Sequence, residues 1–366
     1  MVTIGFRCPA TINCKGDTLV KNGFNSAATA LAVVLCGWLQ SSAVFGACEP
    51  LLPNLRALPA SDIRLVLDAR GDPVELRFAA TTWNSGSGQL RLVAKSIDTT
   101  AQKQRVDQRI FDNCGAFQDR TAGSFTWHQD HNHFHFDGYA NYFLTPLGTQ
   151  GQGRNGSKTT FCIMDTTSVN MQLVGASSQI YGTCGNTVQG LSVGWGDTYG
   201  SQLAGQSINA VALLPGDYAL EINVDPFGRI LETNEDDNWS CVHLRFSGSP
   251  YASSFNILDR RIGRCGEPED QVALASITPN QVPLGWTGTV TIVGTGLDPI
   301  MPVNISSGSD EADVSNVAFL DSTTIQATVK VRKKKRVRDP LMDVQVGPAS
   351  SYAGSASLPD GFRVAP

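Results

Sequence analysis

The sequence predicts an all-β protein, in which a β-sandwich domain is followed by a smaller immunoglobulin-like β-sandwich. Short apolar or alternating segments recur along the chain, and glycine- and proline-rich turns separate them, which is typical of sandwich strands. Thirty-six glycines, 18 prolines and only 17% charged residues also favour turns over long amphipathic helices. No segment carries a sustained helical period.

The predicted strands are short and bounded by turn residues such as Arg70-Gly71-Asp72-Pro73 and Pro215-Gly216-Asp217. Their apolar residues either alternate or form short continuous runs, as half-buried and fully buried strands do. The clearest segments are 63–67, 74–78, 89–93, 210–214, 218–224, 241–246 and 290–293.

The length of 366 residues suits two domains after a leader. Basic residues, an apolar run at 27–39 and small residues up to Ala47 predict a secretory signal peptide over 1–46. A lipoprotein-type cut before Cys48 is the alternative. An acidic loop after Cys265 separates a first domain at 47–266 from a second at 271–366. The expected location is therefore secreted or at the cell surface, either extracellular or periplasmic.

The number and positions of the cysteines are those expected of a secreted protein. Three of the nine lie in the leader, and an even number remains after it, as expected for disulfides in an oxidising compartment. Six cysteines allow about 15 connectivities. Their order along the chain favours consecutive pairs, namely Cys48–Cys114, Cys162–Cys184 and Cys241–Cys265.

The charge and hydropathy of the chain indicate which kinds of partner to expect. A net charge of −5 gives no reason to expect a nucleic acid. No stretch reaches the roughly 20 apolar residues of a transmembrane helix. The basic run from Arg332 to Arg338 is interpreted as a solvated loop, and it could hold the protein near an anionic cell-surface polymer.

Four of the five histidines fall within eight positions, from His128 to His135. Alternate residues of a strand share one face, so His131, His133 and His135 would project together while Phe134 and Phe136 pack into the core. Three unpaired imidazoles would be costly to crowd without compensation, which predicts a metal site. Copper, zinc, iron and nickel all accept imidazole ligands. A metallo-β-lactamase-like site needs a further histidine where Gly138 follows Asp137, and later histidines, of which only His243 remains. A cupin needs another distant histidine and a glutamate ligand.

With these histidines, the chain resembles the lysyl oxidase family over roughly 52–265. The residues that carry the resemblance are Trp127 to His135, Lys158-Thr159-Thr160-Phe161-Cys162, Gln189-Gly190-Leu191-Ser192, Gly196-Asp197-Thr198-Tyr199-Gly200, Pro215-Gly216-Asp217-Tyr218 and Asn223-Val224-Asp225-Pro226. After Cys265, Ile277-Thr278-Pro279 and the closing phrase from Pro359 to Val364 resemble the IPT/TIG family of spacer and interaction modules. The leader and this added module favour a microbial member.

The resemblance implies a secreted copper-dependent amine oxidase. Its copper (Cu²⁺) ligands would be His131, His133 and His135, and its organic cofactor, lysyl tyrosylquinone, would form from Lys158 and Tyr199. A primary amine or peptidyl-lysine would react with dioxygen to give an aldehyde, ammonia and hydrogen peroxide.

The general base is a separate expectation, because the family's later histidine falls here on Asn141. Asp137 shares the ligand face by strand parity and is the favoured base, with orientation of a ligand histidine as its competitor. Asp165 and Asp197 lie near the two cofactor residues in sequence. The cysteine inside the family's histidine motif is replaced by Asp130, which implies a different disulfide pattern.

The segment from Glu232 to Asn238 concentrates carboxylates, which could hold Ca²⁺ or form an exposed turn. Two other functions stay open. A non-catalytic copper-binding or cell-surface adhesion protein would keep the fold without the quinone, and a zinc hydrolase would need a catalytic partner that the sequence does not offer.

Overall fold

The computed structural model describes residues 47–95, 102–129, 132–266, 271–308, 310–332, 340–347 and 354–365. The predicted signal peptide, Asp130, His131 and the basic run beyond Arg332 lie outside these residues. The described part is all-β and contains no helix, which confirms the predicted class. Accordingly, it has no helix long and apolar enough to cross a membrane.

Seventeen strands are described before Cys265. They are β1 (Pro50–Leu51), β2 (Leu55–Leu67), β3 (Pro73–Asn84), β4 (Leu90–Ala94), β5 (Lys103–Asp112), β6 (Phe117–His128), β7 (His133–Asp137), β8 (Ala140–Pro146), β9 (Arg154–Asn155), β10 (Thr160–Phe161), β11 (Thr167–Ser168), β12 (Val188–Leu191), β13 (Trp195–Tyr199), β14 (Ser207–Asn209), β15 (Gly216–Val224), β16 (Trp239–Ser247) and β17 (Ser254–Ile262).

Three sheets are built from these strands. One has the order β10-β7-β6-β5-β4-β12 with β1 beside β5, another has the order β11-β13-β3-β14 with β2 beside β3, and the last has the order β17-β16-β15-β8-β9. All three contribute to one hydrophobic core, as Phe134, Phe78 and Leu220 illustrate. The sheets therefore pack their apolar faces together, as the alternating sequence pattern requires.

Nine further strands are described after residue 271. They are β18 (Ala273–Thr278), β19 (Gln281–Pro283), β20 (Thr287–Thr295), β21 (Val303–Ser307), β22 (Asp310–Glu311), β23 (Asp313–Asp321), β24 (Thr324–Lys330), β25 (Leu341–Val346) and β26 (Ala356–Ala365). They form a four-stranded and a five-stranded sheet around a second core. Leu58, Trp83, Leu173 and Val193 belong to this core as well, and residues 47–366 form one compact unit. The IPT/TIG assignment and the domain boundary stay predictions.

The predicted strand at 210–214 is wrong. The strand of this region, β14, ends at Asn209, and the chain then turns. Ala212 adopts a φ of 54°, and the N–H of Leu213 donates to the carbonyl of Ala210 at 2.9 Å. This turn buries Leu213 and leaves Val211 exposed. The apolar residues at 210–214 therefore form a turn. A turn can bury one side chain of an apolar run as effectively as a strand does.

The three predicted disulfides are confirmed. Cys48 is bonded to Cys114, Cys162 to Cys184 and Cys241 to Cys265. The first ties the N-terminal segment to the turn after β5, and the last joins β16 to the segment after β17. The middle disulfide lies beside the histidine strand and belongs to the site.

Candidate active site

The histidine strand is one arm of a hairpin formed by β6 and β7. In their antiparallel register Phe125 lies opposite Phe136, Trp127 opposite Phe134 and His128 opposite His133. Phe134 and Phe136 are fully buried and meet aromatic rings of β6 edge-on. This packing fixes β7 and turns the alternate residues His133 and His135 to its other face.

The imidazoles of His133 and His135 converge. Their Nε2 atoms lie 3.0 Å apart and their ring centres 4.9 Å apart. Two nitrogen ligands at typical bond lengths of about 2.0–2.1 Å from one ion lie about 3 Å apart, so the pair fits the ligand geometry of a single metal. Nδ1 of His135 lies 3.2 Å from Oγ1 of Thr160, a contact that orients the ring with Nε2 towards its partner. His131 lies outside the described residues.

His128 also joins this cluster, although its position within a single strand would place it on the opposite face unless the strand bends. Its ring centre is 4.6 Å from that of His135. The chain reverses between β6 and β7, and Asn132 has a φ of 55°, a conformation that asparagine tolerates in turns. Cross-strand neighbours share a face, so the hairpin returns His128 to the histidine side. The Asn132 turn is the sequence signal that could have indicated this.

Lys158 and Tyr199, which are 41 positions apart, are in contact. Nζ of Lys158 lies 5.0 Å from the centre of the Tyr199 ring and 5.2 Å from that of Phe161. The Phe161 ring in turn meets Tyr199 edge-on at 4.9 Å. The fold thus brings together the two residues that the family resemblance pairs in a cofactor.

The Tyr199 hydroxyl is fixed by the backbone of Cys162. It donates to the Cys162 carbonyl and accepts the Cys162 N–H, both at 2.9 Å. Cys162 is bonded to Cys184, and the sulfurs of both lie within 4.8 Å of a ring nitrogen of His133. One short segment, from Thr160 to Cys162, therefore contacts the histidines on one side and the tyrosine on the other.

Burial shifts the pKa values of Lys158 and Tyr199 in opposite directions. It lowers the pKa of Lys158, an effect that the charge of Asp197 partly opposes, and it raises the pKa of Tyr199 well above its ordinary value, helped by Asp197. The lysine is therefore shifted towards the neutral amine, while the phenol keeps its proton. Asp165, by contrast, accepts backbone hydrogen bonds from Ile180, Tyr181 and Ser192 and braces the neighbouring loops.

Asp137 lies at the end of the histidine strand, and its carboxylate is held on the β6 side. Oδ2 accepts hydrogen bonds from Ser124 at 2.7 Å and Thr126 at 2.8 Å, and it lies 3.4 Å from Nζ of Lys103. Thr126 is also the cross-strand neighbour of His135. These contacts hold the Asp137 carboxylate against β6. Its role as the general base, or in orienting a ligand histidine, stays a prediction.

The acidic turn forms a separate cluster. Carboxylate oxygens of Asp225, Glu232 and Glu235 lie within 4.8 Å of one another, and the first two residues are buried. Glu232 accepts the backbone N–H of Leu55 and, at 3.1 Å, the side-chain amide of Asn238. Burial raises its pKa to about 9, and burial likewise raises the pKa of Asp225 and Glu235. Glu232 and Glu235 belong to the acidic segment predicted from the sequence, whereas Asp225 is brought to them by the fold.

Comparison with known proteins agrees with this geometry. Residues 96–255 match the family model described as lysyl oxidase. The chain is 33% identical over 212 residues to human protein-lysine 6-oxidase, covering 52% of this chain and 48% of that protein. It is 32% identical to the rat protein-lysine 6-oxidase, covering 51% and 48%, and 30% identical to human lysyl oxidase homolog 1, covering 37% and 23%. The chain thus spans at most about half the length of these relatives. With the motifs and contacts above, these matches identify residues 96–255 as belonging to the lysyl oxidase family.

Proposed function

We propose that this protein is a secreted copper-dependent amine oxidase. It would convert a primary amine, such as the side chain of peptidyl-lysine, together with dioxygen and water into an aldehyde, ammonia and hydrogen peroxide. The observation that carries this proposal is the contact between Lys158 and Tyr199 beside the histidine cluster. A copper-binding protein without oxidase activity has no need for a half-buried lysine against a partly buried tyrosine ring.

Copper would be held by His131, His133 and His135, whose imidazoles suit it as ligands. The convergence of the His133 and His135 nitrogens supports this donor set, and Thr160 orients His135 from behind. A quinone formed from Lys158 and Tyr199 would supply the electron sink for amine oxidation, with dioxygen as the final acceptor.

The chain's own residues prepare that cofactor. The lowered pKa of Lys158 favours the neutral amine, whose lone pair is needed to bond to a ring carbon. The Cys162 backbone fixes the Tyr199 hydroxyl, and Phe161 packs against the ring, so the ring is held in one orientation. The Cys162–Cys184 disulfide braces this segment against the histidine strand. Such positioning converts a difficult encounter into a local reaction.

Reconstitution with Cu²⁺ in air tests the proposal. We expect the colourless apoprotein to develop a visible absorption band, to react stoichiometrically with phenylhydrazine, and then to release peroxide from primary amines. Protein loaded with Zn²⁺ is the control and should do none of these. If the copper-loaded protein shows no hydrazine-reactive band, the alternative of a non-catalytic copper-binding or adhesion protein is favoured.

Export is part of the proposal. Three disulfides suit a protein that matures in an oxidising compartment, and they agree with the signal peptide predicted over 1–46. We further propose that the region from 271 to 366 serves as an IPT/TIG-like module for contact with the cell surface.

Calcium is proposed as a structural ion at the acidic turn. Oxygen ligands from Asp225, Glu232 and Glu235 are close enough to share one cation, and carboxylates suit Ca²⁺. The raised pKa values express the cost of burying these charges without a cation.

This arrangement predicts a stability that depends on calcium and pH together. Since the folded-state pKa of Glu232 is about 9 against an ordinary 4.5, the folded state holds this proton more tightly, and stability is lost as pH rises from about 4.5 towards 9. Ca²⁺ at 100 times its dissociation constant should restore about 2.7 kcal/mol. Thermal melts at several pH values, with and without Ca²⁺, measure both effects. The Glu232→Gln variant should lose the calcium response, and a wild-type melting temperature unmoved by Ca²⁺ at pH 8 rejects the site.

A further inference from the structure

Asp197 is a buried carboxylate that the proposed mechanism leaves without a role. It lies two residues before Tyr199 on β13, so both side chains project from the same face of that strand. It is 2% exposed, and its Oδ2 has no hydrogen-bond partner among the described residues. A buried carboxylate oxygen without a partner is unfavourable, and this one lies beside the Lys158–Tyr199 pair, where a free oxygen could accept a proton.

Three neighbouring residues affect the pKa of Asp197. Met164 gives it a backbone hydrogen bond, Lys158 is the cation that acts on it, and Asp165 repels it. Burial is the largest effect and raises the pKa of Asp197 well above its ordinary value. Tyr139, Tyr142 and Tyr199 also interact electrostatically with Asp197.

Maturation of the proposed cofactor changes this balance. A lysine nitrogen bonded to a quinone ring shares its lone pair with the ring and no longer carries an ammonium charge at neutral pH. Asp197 then loses the cation that acts on it, while its burial is unchanged. A carboxylate in that position is more basic than an ordinary aspartate, which is the property of an effective general base.

We propose that Asp197 is the general base that removes the α-proton of the amine substrate, an inference that rests on the proposed oxidase function. The Cα–H bond of the substrate breaks and its proton binds Oδ2 of Asp197. The quinone proposed to form from Lys158 and Tyr199 would accept the electron pair of that bond, so the substrate would be oxidised by two electrons. Dioxygen, the acceptor of the proposed reaction, would take up those two electrons together with two protons to give hydrogen peroxide.

Asp137 is the competing carboxylate, and its contacts separate it from Asp197. Its Oδ2 is already engaged by Ser124, Thr126 and Lys103 on the β6 side. No such donors reach Oδ2 of Asp197 among the described residues. Asp197 is also the carboxylate that interacts electrostatically with Lys158.

The test compares Asp197→Asn, Asp197→Glu and Asp137→Asn in the copper-loaded protein. Hydrazines react at the quinone without loss of an α-proton, so the hydrazine titre should be unchanged in Asp197→Asn. Its kcat with a primary amine should fall by about 10²–10⁴-fold, the usual contribution of a general base. The kinetic isotope effect with an α,α-dideuterated amine should increase, and the ascending limb of the kcat/KM pH profile should disappear. Asp137→Asn should keep that limb.

Each outcome of this test either supports or overturns the role of Asp197. Equal amine turnover in Asp197→Asn and wild type overturns the inference and leaves the oxidase intact, and so does loss of the pH limb in Asp137→Asn alone. If Asp197→Asn forms no quinone, Asp197→Glu decides: a quinone with a displaced pH limb supports the role, whereas an unchanged limb contradicts it. A wild-type protein that forms no quinone with copper contradicts the oxidase function itself.

Discussion

Replacement of Tyr199 by phenylalanine is expected to abolish the visible absorption, the hydrazine titre and amine turnover completely, while copper still binds. The ring of phenylalanine keeps the edge contact with Phe161, and the histidine cluster is untouched. The N–H and carbonyl of Cys162 lose their shared partner, which should lower the free energy of unfolding by about 1–3 kcal/mol. Absorption spectra, copper analysis and urea titration measure the three effects.

Lys158→Met is the matched control for that experiment. It should abolish the same quinone signals, because no amine remains to bond to the ring. It should not lower stability to the same extent, since removing a partly buried cation relieves a desolvation cost. A Tyr199→Phe protein that still develops a hydrazine-reactive band would show that the cofactor forms elsewhere.

The second large effect is on stability, and it is expected from Arg56→Met. Arg56 is 4% exposed and binds both carboxylate oxygens of Asp298 at 2.7 and 2.6 Å. Its Nε also lies 3.2 Å from Asp237 of the acidic turn. Removing the arginine leaves two carboxylates without their cation, and breaking a buried pair in this way costs about 3–5 kcal/mol.

Arg245 provides the matched control for Arg56. It makes a two-point contact with Asp217 at 2.6 and 2.8 Å, but on the surface. Arg245→Met should therefore cost no more than about 1 kcal/mol. Equal unfolding midpoints for the two variants in urea would contradict the structural role of Arg56.

The Arg56 contribution should also depend on pH. Burial alone would raise the pKa of Asp298, yet the charge and hydrogen bonds of Arg56 hold it below its ordinary value. A carboxylate with a lowered folded-state pKa adds stability above its unfolded pKa and loses it as pH falls. The difference between wild type and Arg56→Met should therefore shrink in acid.

Much of the fold followed from the sequence. The all-β class and the three disulfides were predicted from turn composition, short apolar runs and the order of the cysteines. The strand predicted at 210–214 was wrong, because an apolar run can belong either to a strand or to a turn that buries one side chain, here Leu213. His128 was missed for a related reason: parity within one strand cannot follow a chain that reverses direction.

Only part of the candidate site could likewise be predicted from the sequence. Local spacing alone was enough to indicate a metal site at the histidines. The pairing of Lys158 with Tyr199 came from the family resemblance, because their contact depends on β13 and on the segment before β10, which are far apart in sequence. The unpartnered Asp197 oxygen could not be predicted, since hydrogen-bond satisfaction is a property of the packed core.

Peptide mapping of the copper-loaded protein tests most directly whether Lys158 and Tyr199 become one cofactor. After exposure to air and labelling with phenylhydrazine, the protein is digested and its coloured peptide is sequenced by mass spectrometry. The proposal predicts one labelled species that contains both Lys158 and Tyr199 joined through their side chains. Recovery of two separate, unmodified peptides from protein fully loaded with copper would contradict it.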